Sequence, residues 1–511
     1  MKTAFVTVLN KLNFICRIPS RFHYLCIFIC IIVADFLFWD QTVGISLAIF
    51  LGGLAIVAWI GNPVRCRPDN GILAVTVLAL GLLPLIETVN MLSILFGCFG
   101  TALFAQSLVL REAPPWITRL RQAAALLVSG PARLRRDCAH LYRSVGRQNW
   151  DVPVRRFLIN WCMPICGLAV FLALFSSANP LIENGLNHID FSLGGVLALA
   201  SPSRILFWGC VLAAVRPLIP TLPPRRRPIR PVLKPTTIHP HGSFGDAALL
   251  RSLILFNAVF ALQTGLDLTY LWGEVTLPDG MTYAAYAHRG AYPLVITALL
   301  AAAFVLATLR PNGPAERSRL IRLLVLAWIG QNILLVISSI RRVDLYIVSY
   351  SLSELRFYAL IWMMLVAIGL ALIIIKIVLN KPTHWLIIAN VGSIILTFYI
   401  LCFVDSQKVI ATYNVAHCSE IGKNTPHLDE EYLVSLGPSA IPAIDNALNY
   451  FPPDTVQDLV VDRARLVTKL HWNSDNWRAW TFRAWRLKRY IKLHQTTNGR
   501  VPGDGLSHSR G

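Results

Sequence analysis

Long apolar runs, broken by short and mostly basic polar stretches, set the pattern of this chain. A helix needs about 20 mostly apolar residues to cross a bilayer. Runs of that length fall at 23–39, 43–61, 71–88, 91–110, 157–176, 191–213, 249–272, 290–309, 320–340, 355–376 and 384–404. They predict an all-α, polytopic membrane protein of about eleven transmembrane helices with a small soluble helical C-terminal region. Four regions follow: an N-terminal membrane region 1–215, a linker 216–248, a second membrane region 249–404, and a tail 405–511. The stretch 341–354 fits no span and reads as a short helix on the membrane surface.

The polar stretches give the orientation. Region 111–156 carries ten arginines, and 216–234 holds six Lys/Arg and no acid. Stretches 62–70 and 310–322 are basic as well, whereas 177–190 and 273–288 lack Lys and Arg altogether. Such alternation assigns the first set to the cytoplasm and the second to the outside; Arg341-Arg342 is the exception. Lys2, Lys11, Arg17 and Arg21 precede the first run with no small-residue cleavage site after it, so the first span is expected to be retained, with a cytoplasmic N-terminus. An odd span count then puts the tail outside. Region 111–156 reads either as an amphipathic helix on an anionic leaflet, with Ile117, Leu120, Ala124 and Leu127 on one face, or as a solvated basic loop. The linker "RPLIPTLPPRRRPIRPVLKP" has too many prolines for a helix.

Composition agrees with a membrane setting. The chain is 55% hydrophobic and 14% charged, where soluble domains carry about a quarter charged residues. A net charge of +20 raises nucleic acid as a partner; the confinement of the basic residues to loops between apolar runs argues against it. The eleven cysteines contain no C-x-x-C and read as packing residues, with no metal site. His239, His241 and Asp246 lack a zinc spacing and read as a turn into a helix. No nucleotide-binding or hydrolase motif is present, and no cofactor is expected. In the tail, "EYLVSLGPSAIPAIDNAL" predicts two short helices around a Gly-Pro turn, and "SDNWRAWTFRAWRLKRYIKL" one helix capped by Ser474 that closes a small bundle or, with its tryptophans and basic residues, lies at the membrane surface.

One stretch concentrates polar chemistry. "DLTYLWGEVTLPDGMTYAAYAHRGAYP" holds four tyrosines, a histidine, an arginine and three carboxylates at the outer ends of two spans. Upstream, Gln263, Asp267 and Tyr270 share one helix face. A carboxylate in a span faces an interior, a cavity or a cation, and Arg289, Arg341, Arg342 and Arg356 fall at its level. The candidate ligand site therefore comprises Gln263, Asp267, Tyr270, Tyr283, Tyr286, His288, Arg289, Tyr292, Arg341, Arg342, Asp344, Glu354 and Arg356. Its plainer counterpart is an aromatic belt with structural ion pairs.

"HPHGSFGDAALLRSLILFNAVFALQTGLDLTYLW", "LPDGMTYAAYAHRGAYPL", "QNILLVISSIRRVDLYIVSYSLSELR" and "ATYNVAH" resemble a bacterial family of multi-pass inner-membrane proteins, domain of unknown function 4173, close to domain 4153. The resemblance implies a bacterial inner-membrane location and a polytopic helical fold, and brings no activity with it. Three functions stay open: ligand or envelope-partner binding and sensing at the outer face; transport of a polar or lipid-linked solute; and membrane-embedded group transfer with Asp267, Glu354 or His288 as acid or base. The balance is away from an enzyme. The expected partners are the bilayer, anionic headgroups at the basic loops and an envelope protein.

Overall fold

The computed structural model describes residues 20–61, 68–109, 115–147, 201–219, 246–272, 318–421, 426–448, 450, 453–474 and 476–498. Every regular element among them is helical. Among the described residues four helices are long and apolar enough to cross a membrane: Met91–Leu108, Arg319–Tyr350, Glu354–Val378 and Thr383–Leu401. Shorter apolar helices add His23–Phe38, Ile45–Gly61, Gly71–Glu87 and Pro202–Val215. The expected spans 157–176 and 290–309 lie outside the described residues.

The chain divides into two compact units, 1–225 with 473–485, and 226–472 with 486–511. The first contains α1 (Ser20–Phe38), α2 (Ile45–Gly61), α3 (Pro68–Glu87), α4 (Met91–Val109), α5 (Trp116–Val128), α6 (Gly130–Arg147) and α7 (Pro202–Val215). Its tightest packing is between α3 and α4. A Cβ on Gly81 would come within 2.8 Å of the Phe96 carbonyl and 2.9 Å of Gly100, so two glycines let the backbones touch. Leu51, Leu54, Leu85, Ala102, Ala105 and Leu126 form a buried core.

Contacts at the two ends of this unit agree on direction. At one end Asp35 pairs with Arg204 and accepts a hydrogen bond from Trp208 Nε1 at 2.8 Å. At the other, His23 Nε2 lies 3.0 Å from the Gly61 carbonyl, Arg133 donates to the Pro217 carbonyl, and Arg216 pairs with Asp137. Region 111–156 is thus helical over α5 and α6, and these helices are fastened to the C-terminal ends of α4 and α7.

The second unit begins with α8 (Asp246–Asp267), which widens into a π turn over Leu268–Trp272. It continues with α9 (Arg319–Tyr350), α10 (Glu354–Val378), α11 (Thr383–Leu401), α12 (Ser406–Ala416), α13 (Glu430–Ser435), α14 (Ile441–Ala447), α15 (Pro453–Ser474) and, from the tail, most of α16 (Phe482–Asn498). Helices α8 and α9 run in the same direction. Asn257 donates to the Leu324 carbonyl at 3.1 Å near one end, and Asp267 meets Arg342 near the other. Between them Trp328 stacks on Phe256 and meets Phe260 edge-on.

Two expectations change. Residues 341–350 are not a surface helix but the last turns of α9, because Arg342, Val343 and Ile347 continue its buried stripe. The tail helix does not start at Ser474, which ends α15. Residues 477–479 form a 3-10 turn capped by Asn476, and α16 begins at Phe482. The reason is tertiary. Trp480 gives its carbonyl to the Ile45 amide at 2.8 Å, Asn476 and Arg478 reach Gln41, and Arg478 lies 4.3 Å over the Phe36 ring. The two short helices around Gly437-Pro438 are present as α13 and α14.

Candidate functional site

The buried stripe of α9 contains Val325, Trp328, Asn332, Val336, Ser339, Arg342 and Val343. Its phase turns Arg342 inward, 3% exposed, towards α8. Adjacent Arg341, one hundred degrees round the helix, points out and pairs with Asp344 at 2.6 Å on an exposed surface. Asp267, 1% exposed, receives the Arg342 guanidinium and the Gln263 amide, the latter at 2.9 Å, on the same oxygen, Oδ1. Its other oxygen, Oδ2, is buried without a hydrogen-bond partner among the described residues. The π turn begins at the next residue, which opens the helix just past the carboxylate.

Of the sequence candidates, Gln263, Asp267 and Arg342 come together. Arg356 goes elsewhere: its guanidinium binds the Tyr350 and Ser351 carbonyls and covers the Tyr346 ring at 4.4 Å, closing the end of α9. Glu354 opens α10, where its backbone N–H donates to the Tyr432 hydroxyl at 2.9 Å. The Tyr270 backbone lies in the π turn. Its side chain, and Tyr283, Tyr286, His288, Arg289 and Tyr292, lie outside the described residues, as do His239 and His241. Arg342 is therefore engaged with a carboxylate rather than waiting for an anion.

The tail closes this end of the unit. Asn414 donates to the Leu352 carbonyl at 2.9 Å and accepts from the Leu352 amide at 2.8 Å, holding the turn where Ser351 has a positive φ of 64°. Asp405 caps α12 and accepts from Ser439 Oγ at 2.9 Å. Further out, Arg463 pairs with Asp445, and burial beside that carboxylate pushes the Tyr490 hydroxyl up to about 12. Burial raises the Glu420 carboxyl, but hydrogen bonds from its own backbone, His427 and Leu428 outweigh that and lower it overall. Among the described residues no three of His, Cys, Asp and Glu gather to hold a metal.

Three polar residues escape a search for charge alone: Asn257 on α8, and Gln331 with Asn332 on α9. Their signal is an amide side chain inside an apolar run.

A family model, "Domain of unknown function (DUF4153)", matches residues 70–447. The chain belongs to that family. In this DUF4153 chain the match runs from α3 through α14 and so takes in Gln263, Asp267 and Arg342. No curated protein and no solved structure matches it.

Proposed function

We propose that this DUF4153 chain is a bacterial inner-membrane protein of about eleven spans whose second membrane unit binds a polar ligand or an envelope partner at the Asp267–Arg342 pair. The carrying observation is the pair itself: two opposite charges, almost fully buried, share one carboxylate oxygen with Gln263 and leave the other open. Removing both charges from water costs several kcal/mol per ion before their attraction is counted. Hydrophobic residues would hold α8 to α9 at less cost, so a use for the charge is the better account. The resemblance to domain 4173 supports the same setting.

In this reading the basic ends of the spans lie in the cytoplasm, where α5 and α6 meet anionic headgroups, and the tail lies outside. Transport of a polar solute is the second reading; Asn332, buried in the middle of α9, and half-buried Gln331, whose Oε1 is itself buried, favour it.

The test compares a deletion strain complemented by the wild type with one complemented by Asp267→Leu/Arg342→Met, which removes both charges and keeps the packing. Normal protein level with loss of complementation is expected. Full complementation would reduce the pair to scaffold.

A further inference from the structure

The ion pair is one end of a longer polar line, and this inference deepens the binding reading by naming what enters there. Gln331 and Asn332 stand midway between Arg322 and Arg341, with about 14 Å of helix on either side. That is the middle of a hydrocarbon core about 30 Å thick. Asn332 is 1% exposed; its Nδ2 donates to the Trp328 carbonyl at 2.8 Å, and its Oδ1 is buried without a partner among the described residues. The same holds for Gln331 Oε1, Asn257 Oδ1 and Asp267 Oδ2. Asn257 has spent its amide on the Leu253 and Leu324 carbonyls, at 2.7 and 3.1 Å.

All four atoms are acceptors. An anion would be repelled by them, and a lone buried acceptor is costly. The two α8 positions are ten residues apart, about 15 Å along the axis, too far for one small ligand to serve both. What satisfies such a row is a repeated small donor. Water is one, and buried water bonds about three polar groups at a time.

We propose that the interface of α8 and α9 is a hydrated track, in which water donates to these oxygens from the Asn257–Leu324 contact, through the middle of the membrane, up to the Asp267–Arg342 pair. Ser339, fully buried on the same stripe of α9, faces the track; Leu334, 48% exposed, faces away from it.

The test places single cysteines in the full chain, with the native cysteines replaced, in proteoliposomes. A small cationic methanethiosulfonate reacts with thiolates, which form in water and not in lipid. Ser339→Cys and Asn332→Cys are expected to react at least tenfold faster than Leu334→Cys; equal rates would overturn the track. Because a cysteine at 332 changes the line itself, Asn332→Leu supplies a second measurement. In a dry interior this change removes an unsatisfied oxygen and raises Tm, which counts against the proposal. On a hydrated track it strands the neighbouring waters and lowers Tm. Reactive cysteines in a protein whose Asp267→Leu/Arg342→Met variant still complements would keep the track and end the binding reading; unreactive ones beside failed complementation would do the reverse.

Discussion

Asp267 and Arg342 are each placed so that losing the other is worse than losing both. Asp267→Asn leaves the buried Arg342 guanidinium without its counter-charge, a loss of about 3–5 kcal/mol. Its steady-state level in membranes should fall well below that of Asp267→Leu/Arg342→Met, as quantitative immunoblotting would show. Equal levels would mean that the site is wet enough to solvate a lone charge. Asp267 is legible from the sequence because a carboxylate inside an apolar run demands a partner. The sequence narrows its partner to four arginines and no further. The choice among them depends on the rotation of α9, and that rotation is fixed by Trp328, Asn332 and Ser339 on the buried side. Gln331 and Asn332 are not legible in this way, because neutral amides barely lower the apolarity of a run.

Among the elements, the segment 476–483 shows where sequence reading stops. Its residues carry a respectable helical pattern, but the backbone is taken over by a neighbour. Gly44 has no Cβ, and any added there would run into the Ala479 backbone, with Ile45 bonded to Trp480 beside it. Gly44→Ala should therefore release this strap and expose Arg478 and Arg483 to trypsin. Gly53→Ala, in open space on α2, should leave the digestion pattern unchanged. The carboxyl end of α9 is hard to read from sequence for a related reason. Arg341, Arg342 and Asp344 look like the close of a span, yet inward Arg342 and outward Arg341–Asp344 serve different neighbours on one unbroken helix.

For the molecule as a whole, the side of the tail can be read with a thiol, though not a native one from this region. Cys418 is buried and its Sγ donates to the Val415 carbonyl at 3.1 Å. Trp472 is 84% exposed, so Trp472→Cys should be labelled by an impermeant maleimide in intact spheroplasts of a bacterial host. Labelling only after lysis would reverse the assigned topology. The tail also has its own pH limit. The Tyr490 hydroxyl is raised from 10.0 to about 12 by burial and by Asp445. The folded tail thus holds this proton more tightly than the unfolded chain, and its stability is complete below the lower value and lost as pH climbs through the window. Tyr490→Phe should flatten that alkaline loss in melting curves. The apolar helices at 91–108, 319–350, 354–378 and 383–401 were open to the sequence, since long apolar runs follow from the cost of burying charge in lipid. The division of the tail between two units was not, because it depends on contacts between residues hundreds of positions apart.

That division has a consequence for how the protein is made and handled. The first unit leaves the ribosome early, but Asn476, Arg478 and Trp480, which settle against Gln41, Phe36 and Ile45, are translated almost last. A fragment ending at the Pro/Arg linker would lack a piece of its own surface, and tags or truncations at the carboxyl terminus would be felt in the amino-terminal half.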